Sequence, residues 1–333
     1  MALALAAVSC GGPGAVEAPR LPPLHLAPST DLAAAAGLSW LLDVTPRALA
    51  SNVDLLPALE TALPHDQVAA FAQKNGFDPF SLDELVVASY AATDGESMLY
   101  VARGALEPSR LESSFKTRAE AIDGRAVDRP GEDGGIVRSW GTLHGDRAQL
   151  ATFGHEAAAL EIGHFGPLRV AELFAQEKLH RASPALRTGP LGRAAELLRE
   201  AERADAPARA FALGPFGGDT AKGLGGLLAA STAVGIAMNP LRQGDREVVK
   251  TTLILIGGWG DAGKPAAERL KSAFDALSAT GLGRLAGLDR PVGEVQSEAL
   301  PDALRLTVML DPVLLARAAR AALGAEVAEI MSY

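Results

Sequence analysis

The sequence predicts an α+β fold built as two pseudo-repeated lobes, each an antiparallel sheet with helices packed on it. Three observations carry this. Short apolar stretches are joined by tight turn signals, the mark of hairpins rather than crossovers. The order of strand-like and helix-like segments in the first half of the chain recurs in the second. Short identities also recur at similar offsets: Arg110-Leu111-Glu112-Ser113-Ser114-Phe115 against Arg269-Leu270-Lys271-Ser272-Ala273-Phe274, and Asp128-Arg129-Pro130 against Asp289-Arg290-Pro291.

In chain order, Ser39–Thr45 is a strand ended by Pro46, followed by helical segments that stop at Asn75-Gly76. Leu85–Thr93 and Ser97–Arg103 are strands around the turn signal Asp94-Gly95. Pro108–Ile122 is a helix with Leu111, Phe115, Ala119 and Ile122 on one face. Gly135–Leu143, Arg147–Phe153 and Ala157–Ile162 are short strands, with turns at His144-Gly145 and Gly154-His155. Pro167–Leu179 closes the first unit as a helix.

Leu191–Ala204 has apolar residues at helical spacing and connects the halves. The second unit starts with the strand Ala208–Leu213, ended by Gly214-Pro215. Thr232–Met238 and Glu247–Ile256 flank Gln243-Gly244-Asp245 as strands. Pro265–Thr280 is a helix, Val292–Glu298 and Leu304–Leu310 are strands, and Val313–Leu323 is the closing helix. The expected organisation is a signal-peptide remnant over 1–9, a tether over 10–37, a first repeat over 38–187, a connecting helix over 188–205 and a second repeat over 206–333.

Composition bounds the function. The 333 residues are 48% hydrophobic and 21% charged, enough to build a core, while aromatics at 5% leave the packing to aliphatic side chains. A formal net charge of −9 lacks the basic footprint of a nucleic-acid binder. One cysteine excludes a disulfide within the chain, a zinc finger and a CxxC redox pair.

That cysteine is Cys10. It follows the apolar run Met1–Val8 and a small residue, Ser9. The stretch Ala7-Val8-Ser9-Cys10 resembles the lipobox of bacterial lipoproteins. The resemblance implies cleavage before Cys10 and a lipidated Cys10 as the mature N-terminus, held by several acyl chains. It also implies a cell-envelope location. Gly11 carries no acidic retention signal of the Asp kind, which points to the outer membrane, with the folded body in the periplasm or at the cell surface. Residues 11–37 are dense in proline and glycine, the composition of a flexible tether.

No motif assigns a reaction. Gly258–Lys264 fits the GxxxxGK spacing of a phosphate-binding loop, but Pro265 stands where that loop needs a hydroxyl residue to hold Mg²⁺. The equivalent loop of the first half, Gly104–Pro108, has no lysine. The histidines His25, His65, His144, His155, His164 and His180 show no HxH or HExxH spacing, so no metal site is expected. Glu84, Glu161 and Glu294 are carboxylates that a cleft between lobes would have to bring together for acid/base chemistry. Gly223–Leu241 has no charge but carries glycines, Asn239 and Pro240, and is read as a short helix and a strand rather than a membrane span. Trp40, Trp140 and Trp259 are expected in core or rim packing.

The expected protein is therefore a lipid-anchored envelope protein with no cofactor and a binding or assembly role, meeting an envelope protein or an apolar ligand at a cleft or a shared sheet between its lobes. The alternative is an envelope hydrolase with acid/base residues in that same place.

Overall fold

The computed structural model describes residues 24, 26–92, 95–123, 127–130, 136–143, 145–164, 166–179, 183–202 and 205–321. Cys10, the signal segment, most of the tether and the turn residues Asp94 and His144 lie outside them.

The strands are β1 (Leu38–Val44), β2 (Glu84–Ala92), β3 (Gly95–Arg103), β4 (Val127–Pro130), β5 (Ile136–Leu143), β6 (Asp146–Phe153), β7 (Ala157–Ile162), β8 (Ala208–Leu213), β9 (Ala233–Gln243), β10 (Arg246–Ile256), β11 (Gln296–Ala299) and β12 (Ala303–Leu310). The helices are α1 (Ser29–Leu32), α2 (Pro46–Ala50), α3 (Leu56–Ala62), α4 (His65–Asn75), α5 (Pro108–Asp123), α6 (Pro167–Ala175), α7 (Gly189–Glu202), α8 (Gly263–Ser278) and α9 (Gly281–Leu285). A tenth helix, α10, occupies 312–321.

The α+β class is as predicted, and of the two arrangements open between the lobes the structure has the shared sheet. Its order is β11-β12-β10-β9-β8-β1-β2-β3-β7-β6-β5-β4, antiparallel throughout. Outward from the centre, the first half runs β1-β2-β3-β7 and the second β8-β9-β10-β12. Each half inserts a 16-residue helix after its third strand, α5 or α8, and follows its fourth strand with another, α6 or α10. The halves meet where β1 pairs with β8, from Trp40 opposite Ala212 to Val44 opposite Ala208. Each first strand thereby hides the other's open edge.

Alternating side chains divide the sheet into two faces. On the first face, Leu41, Val86, Leu99, Phe211 and Ile254 share one core with Leu168 and Ala171 of α6 and Ala194 and Leu198 of α7. This core crosses the seam between the halves. On the second face the helices stand apart. Phe115 and Ala119 of α5 pack on Leu150 and Ala158, while Leu270 and Phe274 of α8 pack on Leu255, Leu304 and Leu306.

Local chemistry explains where the elements stop. The left-handed Gly76 (φ 80°) caps α4, as its Asn-Gly signal predicts. α6 ends at Ala175, earlier than the predicted Leu179. The Lys178 amide reaches back to the Leu173 carbonyl at 2.9 Å around Glu177, which takes φ 55°. That closure needs a left-handed residue, and no glycine announces it in the sequence. β11 is shorter than the predicted Val292–Glu298, because Val292 instead donates to Met309 and Val295 is buried in the α8 core. Gly223–Leu241 divides into a 3-10 segment, Leu224–Ala230, and part of β9. No helix among the described residues is long and apolar enough to cross a membrane.

The described part of the tether expected to run to residue 37 is packed, Leu24 and Leu26 already lying against the first-face core. Glu84 accepts from the Ser29 amide at 2.9 Å and from its hydroxyl at 2.6 Å. Asp31 pairs with Arg187, and Leu32 and Ala33 are buried in the first-face core. The apolar run Leu32–Ala36 offsets the breaking effect of Pro28 by finding a core to enter.

Candidate functional site

The seam between the halves lies on the second face midway between α5 and α8. The strand β8 reads Ala208-Arg209-Ala210-Phe211-Ala212-Leu213. Period two sends Phe211 into the helix-covered core and puts Ala208, Ala210 and Ala212 together on the second face. The strands on either side present larger side chains to that face: Trp40, Leu42 and Val44 on β1, and Val234, Ile236 and Met238 on β9.

Register fixes these as opposed triplets. Trp40, Ala212 and Val234 are aligned, as are Leu42, Ala210 and Ile236, and Val44, Ala208 and Met238. The result is a groove along β8 with a floor of methyl groups and walls of branched or long apolar side chains. At ~3.3 Å per residue it is roughly 17–20 Å long. The rows continue outward through Val87 and Tyr100 on one side and Leu253 and Leu306 on the other. Leu306, under α8, is 4% exposed, whereas Trp40 and Met238 are each 37% exposed and the three alanines are partly exposed. Exposure therefore rises toward the seam. The hydroxyl of Thr251, which is aligned with Met238, is buried on this face without a partner among the described residues.

The charged residues lie elsewhere. On the helix-covered face, Asp43 pairs with Arg209 across the seam. Glu202 accepts from Thr252 at 2.6 Å and sits 3.1 Å from the Lys250 ammonium. Glu172 pairs with Arg138 and Arg169 at 2.5 and 2.9 Å. Burial pushes the Asp43 carboxyl above the usual carboxylate range, against the pull of Arg209. A polar hollow of about 410 Å³ lies on this face beside the end of α7, lined by Lys250, Gln296, Glu298, Arg305 and Thr307. Both of its cations already have carboxylate partners, Glu202 and Glu298.

The three carboxylates singled out in the sequence are not brought together. Glu84 holds Ser29. Glu161 is fully buried and accepts from the amides of Gly166 at 2.9 Å and Leu168 at 3.1 Å, and from Gln149 at 3.1 Å. Glu294 lies 3.8 Å from Lys271. His65 opens α4, His155 is in the β6–β7 turn and His164 packs against Gly95, while His25, His144 and His180 lie outside the described residues. Among the described residues, no three potential metal ligands converge.

In the Gly258–Lys264 segment, the Trp259 indole is buried and donates to the Leu255 carbonyl at 3.2 Å. The turn is thus pinned by a side chain, and Lys264 is exposed at the start of α8. Trp40 alone among the three tryptophans borders the groove. The alanine floor is what sequence reasoning missed. Its signal was the strict Ala alternation in β8, but alanine does not distinguish a groove floor from close packing under a helix.

No known family model matches the sequence, and no curated protein matches it. Among solved structures, crystal form I of TP0453 is similar, with a TM-score of 0.50 and 12% identity over 88% of this chain and 97% of that one. Crystal form IV of TP0453 gives a TM-score of 0.46 and 10% identity over 86% and 94%. The likeness to form I is one of fold.

Proposed function

We propose that this is a lipid-anchored protein of the cell envelope, held in the outer membrane by Cys10, whose folded body binds an apolar chain without catalysing a reaction. The observation that carries the binding role is the alanine-floored groove along β8. Its residues offer an elongated apolar surface, partly open to water at the seam, and each CH₂ group of a ligand buried there contributes ~0.8 kcal/mol. The lipobox resemblance at Ala7–Cys10 supports the anchor and the location.

The groove is tested with a fluorescent long-chain fatty acid, which brightens on leaving water. Wild type is expected to bind it, with a shift of Trp40 emission. Ala210→Phe fills the floor midway along the groove and is expected to weaken binding at least tenfold, about 1.4 kcal/mol. Equal binding by wild type and Ala210→Phe would place the ligand elsewhere. The anchor is tested separately by the intact mass of protein expressed with its native upstream DNA. Wild type should lose the residues before Cys10 and gain acyl chains, whereas Cys10→Ser should do neither.

A further inference from the structure

Nine large apolar side chains are exposed among the described residues. Trp40 and Met238 border the groove, and Leu213 lies at the end of the sheet where β1 begins. The other six lie at the opposite end. Val53 (73% exposed) is in the 3-10 turn Val53–Leu55 just before α3, Leu56 opens α3, Leu241 is near the end of β9, Leu277 is in the last turn of α8, and Leu282 (54%) and Leu285 are on α9.

The elements that carry them touch one another. Asn52 donates to Glu247 at 2.7 Å, and Arg242 lies 3.9 Å from Asp54, which ties the start of α3 to the β9–β10 hairpin. Arg320 of α10 donates to the Thr61 carbonyl at 3.3 Å, and Leu314 of α10 packs against Gly287 just beyond α9. Scattered surface leucines are ordinary, but a cluster at one end is not.

The N-terminal segment meets the sheet at this same end. Ala27 accepts from Arg103, the last residue of β3, and Ser29 bonds Glu84, the first residue of β2. From Leu24, which packs on the first-face core, back to Cys10 the chain can span at most roughly 45–50 Å at ~3.3–3.6 Å per residue. A lipid on Cys10 would therefore hold the body within that reach of the bilayer, and the leucine-bearing end is the one that the N-terminal segment meets.

We propose that this end docks on the bilayer interface, inserting Leu282, Leu285 and their neighbours among the headgroups. The inference rests on the lipid-anchor reading. Arginines at this end, among them Arg242, Arg284 and Arg290, stand beside the leucines, and salt screens whatever they add to the contact. The part made by the apolar side chains is insensitive to salt.

The test uses the full chain carrying Cys10→Ser, which cannot be lipidated, sedimented with phosphatidylethanolamine/phosphatidylglycerol vesicles. Binding that persists in high salt is expected. Adding Leu282→Asp and Leu285→Asp should lower the partition coefficient at least tenfold, while adding Leu213→Asp, at the far end, should leave it unchanged. All variants share the apolar residues 1–9, so a difference between them reports the folded body. Circular dichroism melts check that each variant is folded.

No vesicle binding by Cys10→Ser, or equal binding by the Leu282/Leu285 variant, would overturn the docking. So would self-association of Cys10→Ser that the same pair abolishes without any vesicle binding, since the surface would then serve a second copy. The intact mass of wild type reports the lipid anchor independently, so failure of the docking and failure of the anchor are distinguished.

Discussion

Glu161 is a carboxylate with no access to solvent, surrounded by three donors. Burial raises its pKa above the usual range, against the lowering effect of the Leu168 and Gly166 amides and Gln149. Neutral Glu161 therefore suits the fold better than ionised Glu161. Its contribution is fully present below the unfolded pKa, ~4.3, and is lost as pH rises through the folded value. Denaturation at a series of pH values should show wild-type stability falling relative to Glu161→Gln as pH rises from ~4 to 7. A flat difference would mean that Glu161 stays ionised. Glu161→Leu strands the two amides at the start of α6 and is expected to cost about 2–3 kcal/mol in urea unfolding. Tyr90, buried near Glu161, has its own pKa raised chiefly by desolvation and finds no partner for its hydroxyl. Neither role could be read from the sequence, where Glu161 looked like any strand-end carboxylate.

At the scale of elements, α5 rests on β5 through a contact that only glycine allows. A Cβ at Gly141 would stand 2.4 Å from the Ala119 Cβ. Gly141→Leu should therefore lift α5 from the sheet and cost about 2–3 kcal/mol. Ala119→Gly in the same chain should recover part of that loss, a coupling that a double-mutant cycle measures. Additive effects would show that the helix does not approach the sheet at this point. The sequence placed α5, with Phe115 and Ala119 on its inner face, by period alone. It could not say which strand lay beneath, because a strand-interior glycine signals close approach without naming what approaches. The same gap hid the groove: the alternation of β8 was legible, but the positions of α5 and α8, far enough apart to leave Ala210 partly exposed, were not.

For the whole molecule, the continuous sheet and the core that crosses its seam make the two halves one cooperative unit. Leu41 and Val86 of the first half share that core with Phe211 and Ile254 of the second, under α7. Calorimetry should show one unfolding transition rather than two. Asp43→Ala removes the partner of Arg209 across the seam and leaves that guanidinium, 16% exposed, only Asp205, at 2.5 Å. It should cost about 1–2 kcal/mol, less than orphaning a buried charge, while keeping a single transition. Two separated transitions in wild type would mean that the seam is too weak to couple the halves.

The α+β class, nearly every strand and long helix, and the repeat of element order are legible in the amino-acid sequence alone. These depend on side-chain period, turn residues and helix stops, all local in the chain. The sequence also contains a single cysteine, Cys10. The tertiary structure decided that the repeats share one sheet, that residues 26–37 pack as part of the body, and that the apolar face stays partly open at the seam. Each of these depends on which surfaces meet across long stretches of chain. Strand pairing of β1 with β8, and the spacing of α5 from α8, follow from the free energy of the assembled core, which no local segment of the sequence contains.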